Sequence, residues 1–337
     1  LLQTGGTSDY DGGFVIQNAD GSFKLKIGSH LQARYILNIR DFNDTLPAGE
    51  DETRWGFQVR RAKIALSGHV VDKTWKYKLQ GGFDSSGVFD LEDAIITKDF
   101  ENGWEVSVGQ MKGPLLREEL VSSKRQLAVE RSLVNEIFTL DRTIGIEVGY
   151  EGERFRANAM WHNGRNRDKA SWSARDTEFA LAARGEFLLS GNWSTFKDFT
   201  SFRGDEQGFM IGVGANWERE EYGTLDADEQ ERITLTADIS AEFGGANLFG
   251  AFIYDDVSDD NPMNNDTNPL AIVVQGGVFL TDTIEVFGRW EYADFDVDGL
   301  DDDHNVITVG VNTYFAKHRV KWTNDIGFGV DPILPGA

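Results

Sequence analysis

Residues 23–40 read FKLKIGSHLQARYILNIR. Phe23, Leu25, Ile27, Leu31, Ala33, Tyr35, Leu37 and Ile39 alternate with Lys24, Lys26, His30, Gln32, Arg34, Asn38 and Arg40, the period of a strand with one apolar and one polar face. Such alternation outlasts the strands of soluble sheets, which run about five or six residues. A strand with lipid on one side and water on the other needs about 9–11 residues to cross. The stretch therefore predicts the wall of a transmembrane β-barrel.

The rest of the composition is compatible with that wall. The chain has 337 residues, 37 Gly, 6 Pro, no Cys and 12% aromatic residues, with a mean hydropathy of −0.38. A barrel escapes hydropathy scans because every second residue faces water, and scarce proline suits ladders that need every N–H. The absence of cysteine agrees with an exported protein lacking a disulfide framework.

Segments of the same period recur at 57–70, 75–84, 88–98, 103–113, 142–150, 155–164, 177–188, 207–217, 232–243, 246–255, 269–280, 284–293, 305–314 and 318–328. Short turns near 71–74, 151–154, 244–245, 281–283 and 315–317 mostly alternate with longer connections, many of them acidic. This is the up-and-down pattern of short periplasmic turns and long external loops, and it places the amino terminus in the periplasm. One barrel domain is expected over 1–337, with its strands within 22–328. The segments number about fifteen, whereas single-chain bacterial barrels carry an even number. We therefore expect sixteen strands, the last apparently absent from a chain ending Leu334-Pro335-Gly336-Ala337. A weaker alternative makes Phe14–Gln17 a strand of its own. Residues 188–206, carrying Trp193, Phe196, Phe199 and Phe202, form an unusually long connection for the periplasmic side.

Parity assigns the faces. Ile233, Leu235, Ala237, Ile239, Ala241 and Phe243 are expected toward lipid, with Thr234, Thr236, Asp238, Ser240 and Glu242 inward. Trp75, Tyr77, Trp104, Tyr150, Phe155, Trp161, Phe187, Phe243, Trp290, Tyr292 and Tyr314 lie near strand ends, where interfacial aromatic girdles form.

The formal charge of −23 is unevenly distributed. Acidic residues crowd 41–51, 218–231, 255–266 and 294–303, while Lys and Arg recur in the alternating segments and from Lys112 to Arg142. Nucleic acid is excluded as a partner, since phosphates need a basic footprint. Acidic external loops instead suit divalent cations and lipopolysaccharide. Asp294, Asp296, Asp298 and Gly299 resemble the opening of a calcium loop, but Asn305 stands where its twelfth-position Glu belongs. Arg203-Gly204-Asp205 is an adhesion-like tripeptide on the periplasmic side, best ascribed to chance. The five histidines show no metal-ligand spacing, and no nucleophile elbow or P-loop occurs. No catalysis, metal or cofactor is expected.

The longest external connection, 114–141, contains EELVSSKRQLAVERSLVNEIF at 118–138, with helical spacing at Leu127, Val129, Leu133, Val134 and Phe138. A loop this long is usually functional. Parity places Arg61, Lys63 and Ser67 on one polar wall with Lys76, Lys78, Gln80, Lys24, Lys26, His30 and Arg34, and gives Arg60 the phase of Ala62, Ile64 and Leu66. Arg117, Lys124, Arg125 and Arg131 would approach from an inserted loop, with Lys112 at its entry. Such charges either set ion selectivity or pair with Glu92, Asp93, Glu118, Glu119 and Glu130 to pin the loop.

GSHLQARY at 28–35, FQVRRAKIALSGHVVDKTWKYKLQ at 57–80, LEDA at 91–94, VGQMKGP at 108–114, SSKRQLAVERSLV at 122–134, RTIG at 142–145 and NTYFAKHRVKWTND at 312–325 resemble the phosphate-selective porin O/P family. The resemblance implies a sixteen-stranded, trimeric outer-membrane channel of Gram-negative type, with the third external loop folded into the lumen. It further implies a constriction lined by Arg60, Arg61 and Arg131, with Glu92 as its carboxylate and His30 at a basic position of the first strand. Two positions depart from the family pattern. Lys63 stands where an aromatic is common, and WEREEYGTLDADEQER at 217–232 replaces a basic external loop. The expected function is passive diffusion of small hydrophilic solutes, anions such as phosphate among them. A general or mildly cation-preferring pore is the close alternative, and a non-channel scaffold or adhesin is the alternative of another class.

Overall fold

Alternating segments become strands because pairing satisfies every backbone donor while the two faces separate oil from water. A computed structural model describes residues 7–10, 13–40, 52–83, 87–166, 168, 176–222, 228–261, 264–296 and 303–330, in two compact units, Leu1–Lys98 and Asp99–Ala337. Among the described residues no helix is long and apolar enough to cross a membrane, which bears on helices alone.

The first unit is an antiparallel meander of β1 (Thr7–Tyr10), β2 (Phe14–Gln17), β3 (Lys24–Arg40), β4 (Glu52–His69), β5 (Trp75–Phe83) and β6 (Phe89–Asp99). The weaker alternative for Phe14–Gln17 is the one observed: it is a separate strand, with Phe14 opposite Ile27. The Asn18–Gly21 turn divides it from β3, its Asn18 side chain accepting from the Phe23 N–H at 2.8 Å. Between β4 and β5, Asp72 closes the predicted tight turn by accepting from the Thr74 N–H at 2.8 Å.

The second unit continues with β7 (Trp104–Lys112), β8 (Arg142–Glu151), β9 (Phe155–His162), β10 (Asp176–Ser190), β11 (Gly208–Tyr222), β12 (Asp228–Glu242), β13 (Ala246–Asp259), β14 (Leu270–Phe279), β15 (Ile284–Asp294), β16 (His304–Tyr314) and β17 (Lys321–Gly329). Each pairs antiparallel with its sequence neighbour inside the unit. The expected faces of β12 hold over most of its length: Leu235 and Ile239 are exposed while Thr234, Thr236, Asp238 and Ser240 are buried; Ala241, expected toward lipid, is buried. Trp161, Phe243 and Trp290 are exposed, as a girdle requires. Tyr314 corrects the girdle assignment. It is buried, in phase with Asn312 and Thr308, and donates to Glu285 Oε2 at 2.6 Å.

The connection between β7 and β8 is not one long helix. It holds α1 (Arg117–Leu120), a 3-10 turn at Ser123–Arg125 and α2 (Leu133–Phe138). Of the apolar residues at helical spacing, Leu127, Val134 and Phe138 are buried because they pack on the inner side of β10 and β13–β15, whereas Val129 is half-buried and Leu133 is exposed. Leu115, Leu127, Val134, Phe138 and Leu140 share a core with Ala182, Phe249, Ile253, Ala271, Val273, Phe287 and Ala293. The third long connection is therefore folded inward, as expected.

Candidate functional site

In the first unit, β3–β6 present a charged ladder. The β3/β4 register sets Lys24 beside His69, Lys26 beside Ser67, His30 beside Lys63 and Arg34 beside Gln58. Across β4 and β5, Lys63 meets Gly82, Ser67 meets Lys78 and His69 meets Lys76. Arg34 donates to Gln58 Oε1 at 3.0 and 2.9 Å.

Two β-bulges shape this face. Gln32 pairs with Arg61 but Ala33 pairs with Val59, leaving Arg60 as the extra residue. Likewise Gln80 pairs with Asp93 but Gly81 pairs with Leu91, leaving Glu92 as the extra residue. A bulge sets two residues of one strand against one of its partner and re-aims a side chain. Upstream of Arg60 the even positions Arg54 and Gln58 share the polar face; downstream the odd positions Arg61 and Lys63 take it over. The phase assigned to Arg60 from Ala62, Ile64 and Leu66 fails because regular parity does not survive the bulge. Val59 upstream is exposed, whereas Arg60 is half-buried and Arg61 buried.

The bulged dipeptides Arg60-Arg61 and Glu92-Asp93 carry opposite charge. Lys63 Nζ lies 2.5 Å from Glu92 Oε1, and Gln80 Nε2 donates to Glu92 Oε2 at 2.6 Å. Lys78 Nζ lies 2.6 Å from Asp93 Oδ2, and Arg61 donates to Gln32 Oε1 at 2.5 Å. The acids Asp90, Glu92 and Asp93 are set among Lys24, Lys26, His30, Arg34, Arg61, Lys63, Lys76 and Lys78, so cations predominate on this face.

In the second unit the inserted loop is knitted to itself and to the wall. Arg131 donates to the carbonyls of Glu118, Glu119 and Val121 at 3.0–3.2 Å and lies 3.3 Å from Glu119 Oε2. Gln126 adds bonds to the Glu118 and Val121 carbonyls. Lys112 Nζ lies 2.9 Å from Glu119 Oε1. Burial by itself would raise the Glu119 carboxyl; Lys112 and Arg131 outweigh it, with a hydrogen bond from Asn135, and hold it below the usual value. Glu118 accepts from the Ser132 N–H and hydroxyl at 2.8 and 2.6 Å, while Ser132 caps α2 through the Asn135 N–H.

From the wall, Arg289 donates to the Glu130 carbonyl, Asn312 to the Leu127 carbonyl and Lys321 to the Gln126 carbonyl. Arg117 is buried rather than presented to water, donating to Ser240 Oγ at 2.8 Å and to the Phe196 carbonyl at 2.9 Å. Beside it Arg184 bridges Glu186 and Asp238 and donates to the Leu115 carbonyl at 2.9 Å. Gly212 and Gly214 make room for this network. A Cβ on Gly212 would lie 2.3 Å from the Arg184 guanidinium, and one on Gly214 would lie 3.0 Å from the Leu115 carbonyl oxygen.

These arrangements support selection by charge and size. Among the described residues no cluster of His, Asp and Glu could hold a metal ion; residues 297–302, which include Asp298 and Gly299 of the calcium-like loop, lie outside that description. The pinning network was only half visible in sequence. Its overlooked signal is that β13 and β14 are apolar in both phases, as in ANLFGAFIY and LAIVV. A strand with two apolar faces is buried on both.

The model of the family described as phosphate-selective porin O and P matches residues 31–323. The chain belongs to this family. The porin is thus an outer-membrane channel protein of Gram-negative type, and its fold is an all-β transmembrane barrel. It is 24% identical over 351 residues to an uncharacterised protein of Aquifex aeolicus, covering 89% of this chain and 82% of that one. Among solved structures it is similar to OmpT of Vibrio cholerae in trimer form, with a TM-score of 0.62 at 14% identity over 91% of this chain and 89% of that one. The anion-selective porin of Comamonas acidovorans matches with a TM-score of 0.60 at 13% identity, over 87% of this chain and 85% of that one. At these identities the structural likeness bears on the fold alone.

Proposed function

We propose that the porin passes small hydrophilic anions, phosphate among them, by passive diffusion, and that Arg60, Arg61, Lys63, His30, Arg34 and Lys78 form its selectivity surface with Glu92 as the counter-charge. The observation that carries this reading is the register of β3–β6, which gathers Lys24, Lys26, Arg34, Arg61, Lys63, Lys76 and Lys78 against Asp90, Glu92 and Asp93; one bulge adds Arg60 to this surplus and the other sets Glu92 against Lys63. In a narrow, low-dielectric passage such an excess concentrates counter-ions. Lys112 and Arg131 contribute by holding the loop that narrows the passage. The family description and the anion-selective relative point the same way.

A mildly cation-preferring pore is favoured by a different observation. Asp255, Asp256, Asp259, Asp260, Glu229 and Glu231 gather at the long-loop ends of β12 and β13, where they would enrich cations before the passage selects. By analogy with the OmpT trimer form the assembly is a homotrimer in outer-membrane lipid, with lipopolysaccharide bridged to the acidic strand ends by divalent cations. The reversal potential across a potassium chloride gradient in planar bilayers tests the reading. Anion preference is expected, and the double variant Arg61→Ala, Lys63→Ala should move it toward cations. A wild-type cation preference excludes the anion reading, and absence of conductance leaves the scaffold reading.

A further inference from the structure

The turns that close the second unit on the side away from the inserted loop are short at 152–154, 243–245 and 280–283, yet the connection between β10 and β11 runs from 191 to 207. It lies across its neighbours. Trp193 Nε1 donates to the Gly152 carbonyl at 2.7 Å at one end. Further along, Ser201 Oγ accepts from the Gly244 N–H at 2.8 Å, and Arg203 donates to the Phe279 and Leu280 carbonyls at 2.7 and 2.9 Å. At the far end Thr200 meets the Tyr314 hydroxyl at 3.1 Å, Asp198 lies 3.3 Å from His318 Nε2, and Phe202 packs edge-on against Tyr314 at 4.9 Å. One segment is thus tied to the turns after β8, β12, β14 and β16.

Its apolar side points into the unit. Phe196 and Phe199 are each 2% exposed. Phe196 lies over Gly208, where a Cβ would come within 2.8 Å of its ring. Phe199 packs on Phe249 in a tilted pair with ring centres 4.7 Å apart and belongs to the same core as Leu115, Leu127 and Phe138 of the inserted loop. Arg117 joins the two segments directly, its guanidinium bonded to the Phe196 carbonyl and 5.3 Å from the Phe199 ring centre. The loop enters from the β7/β8 end and the strap from the opposite end, and they meet inside the wall.

We propose that residues 191–207 are a second size-determining element of this channel: a strap that narrows the passage from the turn side and fixes the position of the inserted loop through Arg117. The proposal rests on the channel reading. Arg117 is a positioning residue in it, because its bonds go to protein groups rather than to solute. A surface connection with no role in permeation would need only to cover its turns, whereas this one places Phe199 in the core that holds the loop and buries Phe196 beside it against Leu188 and Met210.

The experiment compares wild type with a variant in which residues 193–206 are replaced by a short Gly-Ser turn, and separately with Phe199→Ala, Arg117→Ala and Arg117→Lys, all verified as assembled by heat-modifiable migration on gels. Single-channel conductance and the largest permeant polyethylene glycol are measured in bilayers. The shortened variant should conduct about two-fold more and admit larger polymers, since flux follows the open cross-section. Phe199→Ala and Arg117→Ala should raise open-channel noise, and Arg117→Lys should lie between Arg117→Ala and wild type. If the shortened variant fails to assemble, Phe199→Ala and Arg117→Ala decide on noise and polymer size. Assembled variants with wild-type conductance, noise and size limit overturn the proposal. A silent wild type instead overturns the channel reading itself.

Discussion

The inward sides of β3–β5 and of β12–β16 are built from the same two-residue period and end in opposite conditions. On the first, Lys63 and Lys78 keep 18% and 44% of their side chains exposed. On the second, Glu285, Glu291 and Gln275 are at most 1% exposed, Glu285 accepting from Asn247, Asn312 and Tyr314 of the wall and Glu291 from the Val134 N–H of the inserted loop. The difference teaches that polar residues on a barrel strand do not by themselves mark a water-lined surface. What decides is whether the rest of the chain packs over them.

The comparison is tested most severely under the loop. Arg184→Met strips Glu186 and Asp238 of their shared partner in a buried setting, where removing one member of an ion network costs about 3–5 kcal/mol. Urea unfolding in detergent should show a loss of that order, and a loss below about 1 kcal/mol, the worth of an exposed pair, would put the network in water instead.

A smaller effect is expected from acid. The Glu119 carboxyl titrates below its usual value of 4.5 because Lys112 and Arg131 outweigh burial. A group with a depressed folded pKa contributes stability that is present above the unfolded value and lost as pH falls through the folded one. Open-channel noise should therefore rise as the pH falls through and below the ordinary glutamate range, as the loop loses its tie. Glu119→Gln should show that noise already at neutral pH, at about 1–3 kcal/mol of stability for a buried acceptor weakened. Noise independent of pH in both proteins would separate Glu119 from loop position.

The smallest change in stability belongs to the open ladder. Lys78→Ala removes a partly exposed pair with Asp93 and should cost no more than about 1 kcal/mol, while shifting the reversal potential toward cations. A large stability loss with unchanged selectivity would erase the contrast between the two faces.

Much of the wall was legible before any coordinates. FKLKIGSHLQARYILNIR reads as a long strand because apolar residues at every second position can be buried in only one way. The short turns follow from Asp72 and its like, whose side chains close the turn locally. Arg60 was misassigned by parity, since a bulge is a property of two strands in register and leaves no mark on one of them. Arg117 and Arg131 were legible as loop cations with Glu118 and Glu119 among their acids, and Arg131 does pair with Glu119; the Phe196 carbonyl and Ser240 that hold Arg117 are brought near only by folding. Tyr314 has an aromatic's usual place at a strand end, and only the neighbouring Glu285 and the strap account for its burial.

By itself the sequence determined strand period, turn positions, membership of the porin family and a surplus of cations on β3–β5, because each depends on residues close in the chain. The tertiary structure alone decided which charged residues remain accessible, that Arg60 and Glu92 occupy bulges, and that segments from both ends meet at Arg117. These depend on register and on which distant carbonyl or carboxylate satisfies each buried donor, and chain-local periodicity carries neither.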